Sequence, residues 1–149
     1  MRIISDEAEM VEFGHALAAQ LRPGDLILLD GPLGAGKTTL ARGIGEGLGL
    51  DSPVTSPTFV ISRVHSGALP LIHVDVYRLL DATEGAAAAL DDLDLDSERA
   101  ESVTLMEWGR DVGPRLSDEF LLVCIDRLDD DRREVILEAH GTRWQELRI

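Results

Sequence analysis

Eight consecutive residues, Gly31-Pro32-Leu33-Gly34-Ala35-Gly36-Lys37-Thr38, fit the pattern GxxxxGK[ST], and the chemistry that this spacing supports is the binding of a polyphosphate. Its glycines let backbone N–H groups turn inward around phosphate oxygens, the following helix points its N-terminus at them, and the Thr38 hydroxyl can reach a Mg²⁺ ion. Lys37 brings a compact, mobile charge to the β- and γ-phosphates, a task that suits the planar guanidinium of arginine poorly. It is also the only lysine in the chain, in which 13 of the 14 basic residues are arginine. Lysine kept at this one position points to a requirement for lysine chemistry; arginine-biased codon usage is the plainer alternative.

An enzyme of this kind also needs acids to hold the metal and a group to position the attacking water or acceptor. Apolar strands that end in an acid are the places to look, and there are four: Asp30, Asp75, Glu107 and Asp126. Asp30 directly precedes the loop and suits its turn. Asp126 ends the run 121–125 but leads into a charged hairpin. Asp75 follows Leu71-Ile72-His73-Val74 and Glu107 follows Val103-Thr104-Leu105-Met106, so both would project from carboxyl ends of strands, where ligands of α/β proteins collect. Pattern alone leaves the four open.

The elements that must position these groups alternate between strand and helix. Ser5 is placed to cap a helix whose first residues, Asp6 and Glu7, suit the positive end of its dipole. Met10, Phe13, Leu17 and Leu21 line one face of it, and Pro23-Gly24 ends it. Residues 25–30 read as a buried strand and 38–48 as a helix. That helix contains Gly43, Gly45 and Gly47, each costing about 1 kcal/mol against alanine, so close packing on a neighbour or flexibility must explain them. Two β-like runs, 59–64 and 69–74, form a hairpin through His65-Ser66-Gly67. Residues 81–100 are alanine-rich and then acidic, and read as surface helix and loop. Residues 103–106 make another buried strand, and 120–126 pairs antiparallel with 134–139.

Composition bounds the rest. A chain of 149 residues with 44% hydrophobic content makes one domain, 1–149, with one core. No apolar run is long enough to span a membrane, and the first residues lack a signal-peptide pattern, so the expected location is cytoplasmic. The single cysteine, Cys124, lies in an apolar run and reads as a small core residue. A formal charge of -14 disfavours direct nucleic-acid binding and suits a protein partner with a basic face.

GPLGAGKTT, then SPTF at 56–59, HVDVYRL at 73–79 and MEWG at 106–109 stand in the order and spacing of the TsaE (YjeE) family, which this chain resembles over most of its length. The resemblance implies a three-layer α/β P-loop fold, with a mainly parallel central sheet and antiparallel strands at the edge. It implies an ATPase that binds ATP and Mg²⁺, is weak alone, and works with TsaB and TsaD to make threonylcarbamoyladenosine in tRNA, touching tRNA only through the complex. Carried onto this sequence, Gly34, Ala35, Gly36, Lys37, Thr38 and Thr39 hold the triphosphate. Thr38 and Glu107 hold Mg²⁺, and Asp75 is a Walker-B-like acid. Thr58 would sense the γ-phosphate, or simply form a turn. His73 and Tyr77 would orient Asp75, face a partner or pack in the core, Arg78 would contact phosphate or partner, and Trp108 would serve core, interface or nucleotide. The family commonly has threonine near Met10, on the adenine side; Arg132 and Arg133 are candidates to compensate. A small-molecule kinase is the alternative, although 81–100 supplies no arginine-bearing lid, and a GTP switch lacks its NKxD sequence.

Overall fold

A computed structural model describes residues 1–32, 34–52, 54, 62–75, 99–107 and 117–148. Along the chain it contains β1 (Arg2–Ile4), α1 (Glu7–Ala18), β2 (Leu26–Asp30), α2 (Lys37–Gly47), β3 (Ser62–His65) and β4 (Leu71–Asp75). There follow β5 (Val103–Glu107), β6 (Phe120–Arg127), β7 (Arg133–His140) and a short 3-10 helix, Thr142–Trp144. The strands form one sheet in the order β1-β7-β6-β2-β5-β4-β3. Strand β2 is central and runs parallel to β5 and β6, and β5 parallel to β4, while β1, β7 and β3 pair antiparallel at the two sides. This is the mixed α/β sheet that the sequence implied.

Period-two alternation decides which residues meet the helices. Ile27, Leu29, Leu71, Val103, Leu105, Leu121 and Val123 form one cluster with Phe13 and Leu17 of α1 and Leu40 and Ile44 of α2. On the opposite face Leu28, Ile72, Val74 and Met106 are fully buried too. The helix and loop expected over 81–100, with its acidic run, lies outside the described residues apart from Arg99 and Ala100. Among the described residues no helix is long and apolar enough to cross a membrane.

Local structure corrects the reading in four places. The N-cap of α1 is Asp6 and not Ser5: Asp6 is extended and its carboxylate accepts from the Glu9 N–H at 2.8 Å, while Ser5 N–H donates to Glu9 Oε2 at 2.7 Å. The helix ends at Ala18, so Leu21 reaches the core from the turn that follows. Cys124 is half-buried beside Glu138. Strand β1, three residues long, did not stand out in the sequence.

The interior glycines of α2 are explained by packing. An added Cβ at Gly43 would lie 2.6 Å from the Val11 carbonyl oxygen, and one at Gly14 2.7 Å from the Ile44 nitrogen. The two helices therefore touch backbone to backbone. The far end of the sheet is fixed by a partly buried fork: Arg143 donates from Nε to Asp25 Oδ1 at 2.8 Å and from Nη2 to Oδ2 at 2.7 Å, which anchors the chain as it enters β2.

We expect Gly43→Ala to lower the free energy of unfolding by about 1–3 kcal/mol through overpacking. Alanine is the better helix former by about 1 kcal/mol, so a raised urea midpoint would show that the helices can part without cost.

Candidate active site

Strand β2 runs out at Asp30 into the glycine loop, and α2 begins at Lys37 with Gly36 as its N-cap. Gly36 has φ 111° and Gly34 φ 78°, left-handed values that a side chain would strain. A Cβ at Gly36 would meet Met10 Cε at 3.3 Å, so the first helix packs directly on the loop. Together they line a cleft of about 420 Å³, a size that accepts a small ligand.

Lys37 is only 5% exposed. Its ammonium donates to the carbonyl oxygens of Gly31 and, at 3.1 Å, Pro32. Burial pulls its pKa below lysine's ordinary value, against the opposing pull of Glu107, Asp30 and Asp75.

Of the four candidate acids, Asp75 and Glu107 line the cleft. They stand opposite each other in the β4–β5 register, and Leu29 is opposite Glu107 on the other side. Both therefore share the sheet face that carries α2. Asp30 and Asp126 fall on the alternate face; Asp126 is exposed and opposite Glu134. Glu107 is 5% exposed, and its Oε2 lies 2.6 Å from Nε2 of the fully buried His73. His73 thus packs in the interior, one of the places expected for it, and contacts Glu107, where the alternative was Asp75.

The hairpin closes the cleft from the far side. Arg133 donates from Nε to the Ala35 carbonyl at 2.9 Å and from Nη2 to that of Gly34 at 3.4 Å, so it grips the loop itself. Arg132 pairs with Asp130 instead, at 2.7 Å, and does not line the cleft. Met10 is 2% exposed and gives the cleft an apolar wall. Gly34, Gly36, Thr38 and Thr39 line the cleft as well, whereas Ala35 is buried behind it. Thr58, Tyr77, Arg78 and Trp108 lie outside the described residues.

Among the described residues the lining holds five carboxylates, Asp6, Glu7, Asp75, Glu107 and Asp131, against two cations, Lys37 and Arg133. Carboxylates beside a polyphosphate repel it unless a cation lies between them. Thr38 and Glu107 offer the hard oxygen donors that suit Mg²⁺, which keeps few protein ligands and takes the rest from phosphate and water. Among the described residues no group of three or more His, Cys, Asp or Glu side chains is arranged to hold a metal. That donor set fits Mg²⁺ brought in with a nucleotide.

The chain has relatives among known proteins. The sequence profile of the family described as "Threonylcarbamoyl adenosine biosynthesis protein TsaE" matches residues 4–135. A protein of Streptomyces coelicolor named "tRNA threonylcarbamoyladenosine biosynthesis protein TsaE" is 48% identical over 142 residues, 91% of this chain and 93% of that protein. One of the same name from Bacillus subtilis is 43% identical over 132 residues, 87% of this chain and 79% of that protein. A crystal structure of Bacillus subtilis YdiB superimposes with a TM-score of 0.76 at 35% identity, covering 97% of this chain and 87% of that one.

Because Lys37 is the only lysine, its side-chain NMR signal reports a single group. We expect that signal to titrate below lysine's ordinary value, and lower still in Glu107→Gln, which removes the largest opposing carboxylate. By linkage, charged Lys37 costs stability below its folded pKa, and the cost fades as pH rises through the folded toward the unfolded value. A titration at or above the ordinary value would contradict the desolvation.

Proposed function

Because this chain belongs to the TsaE family of threonylcarbamoyl adenosine biosynthesis proteins, we propose that it is a cytoplasmic, single-domain ATPase of tRNA threonylcarbamoyladenosine synthesis. It binds ATP with Mg²⁺, turns ATP over slowly alone, and supports the modification of tRNAs that read ANN codons through TsaB and TsaD. The observation that carries this reading is the convergence of Lys37 with Asp75 and Glu107 in one loop-bounded cleft.

In this reading the loop from Gly34 to Thr39 surrounds the phosphates, and Lys37 exchanges its contacts with loop carbonyls for the β- and γ-phosphate oxygens. Thr38 and Glu107 hold Mg²⁺, which when bound neutralises charge on the phosphate oxygens. Asp75 accepts a hydrogen bond from the attacking water and orients it in line with the bond to be broken. Thr58 is assigned the sensing of the γ-phosphate, and Arg133 keeps the loop in shape for the nucleotide while flanking it. The acidic surface, with its net charge of -14, docks on a partner protein and keeps RNA at a distance.

Reconstitution with TsaB, TsaD and tRNA tests the assignment, and we expect repeated turnover of tRNA to require this chain. In the same assay Lys37→Arg should cut ATP turnover by at least ~10-fold, the loss of a hydrogen bond to a charged group. Near-normal turnover in Lys37→Arg would trace the single lysine to codon bias. Tight tRNA binding by the chain alone would refute docking through protein partners.

A further inference from the structure

His73 has no task in the reading above, yet its surroundings are specific. It is fully buried on β4, and Nε2 lies 2.6 Å from Glu107 Oε2. Its other ring nitrogen, Nδ1, is also buried, and among the described residues it has no hydrogen-bond partner. Burying an imidazole with one nitrogen unpaired is unfavourable compared with an apolar side chain of similar size. What the imidazole offers at this position, and phenylalanine would not, is the contact with Glu107. A carboxylate only accepts, so the ring carries its proton on Nε2 and donates it.

Glu107 has reason to need such a donor. It is 5% exposed at the end of β5, and a buried carboxylate requires partners. With Oε2 held by His73, the rotation of the carboxylate is set, which leaves Oε1 for another partner. We propose that His73 is a positioning residue that orients Glu107 for Mg²⁺ through the Nε2–H···Oε2 hydrogen bond. This rests on Glu107 being a metal-holding acid, as proposed above. The arrangement resembles the way outer partners orient metal ligands in general, where their loss costs about 10–100-fold in metal affinity or activity.

The test uses the purified full chain and the equilibrium binding of a fluorescent ATP analogue over graded Mg²⁺, with ATP turnover measured in parallel. His73→Phe fills the space without a donor; His73→Gln retains an N–H. The expected result is about a 10-fold rise in the Mg²⁺ needed for half-maximal binding in His73→Phe, unchanged binding in EDTA, and substantial recovery in His73→Gln. Wild-type Mg²⁺ dependence in a folded His73→Phe, or equal impairment of both variants, overturns the proposal. Should His73→Phe not fold, ¹⁵N spectra of the wild-type ring decide: a proton on Nε2 supports the proposal and an unprotonated Nε2 ends it. Glu107→Gln separates the two levels. If it leaves the Mg²⁺ dependence unchanged, the metal assignment of Glu107 fails and takes this inference with it; if it raises the requirement while His73→Phe does not, only the role of His73 fails.

Discussion

The site depends on the closeness of two helices. Because Gly43 and Gly14 carry no Cβ, α2 lies with its backbone against that of α1. This contact sets the direction of the helix that begins at Lys37, and it brings the start of α1 to the mouth of the cleft, where Asp6 caps the helix and Met10 packs on Gly36. Larger residues at either glycine would push α1 away and carry Met10 off the loop. The glycines that weaken α2 as an isolated helix are thus what fix it in the protein, through contacts whose value exceeds the propensity that was lost.

With the helices fixed, electrostatics shape the cleft. Lys37 is buried, which disfavours its charge, and Glu107, Asp30 and Asp75 favour it. Those same carboxylates would repel phosphate. Two of them, Asp75 and Glu107, sit side by side at the carboxyl ends of neighbouring parallel strands. Such a pair repels a polyanion unless a cation is interposed, which is the physical reason for the Mg²⁺ proposed above.

Contiguous features were legible in the sequence. The loop and its flanking β2 and α2 follow from one unbroken pattern of apolar run, glycines and helix former. The choice among four acids was not, since each ends an apolar strand. Register supplies what pattern lacks: Asp75 and Glu107 fall on the face of the sheet that carries α2, whereas Asp30 and Asp126 fall on the other. Arg132 and Arg133 looked equivalent for a similar reason. They are adjacent, but Arg133 enters β7 opposite Ile4 and points across the helix-bearing side, while Arg132 stays in the turn with Asp130. The pairing of Asp25 with Arg143 joins residues 118 positions apart and leaves no local trace.

Lys37 and Arg133 divide the loop between them, and their chemistry explains which is which. Lys37 touches carbonyls at the start of the loop, Gly31 and Pro32, while Arg133 touches Gly34 and Ala35 further on. A trans peptide points its N–H away from its carbonyl. Where Arg133 draws the Ala35 carbonyl outward, the Gly36 N–H is turned the other way. The fork of arginine reaches two successive carbonyls at once and stays in place, which suits a support. The ammonium of lysine, a point charge on a flexible stem, can exchange its carbonyls for a phosphate oxygen in the function proposed above. Exchanging the two residues would give a rigid group where movement is needed and a flexible one where support is needed, so the placement of arginine and lysine follows from the mechanics of the loop as much as from its charge.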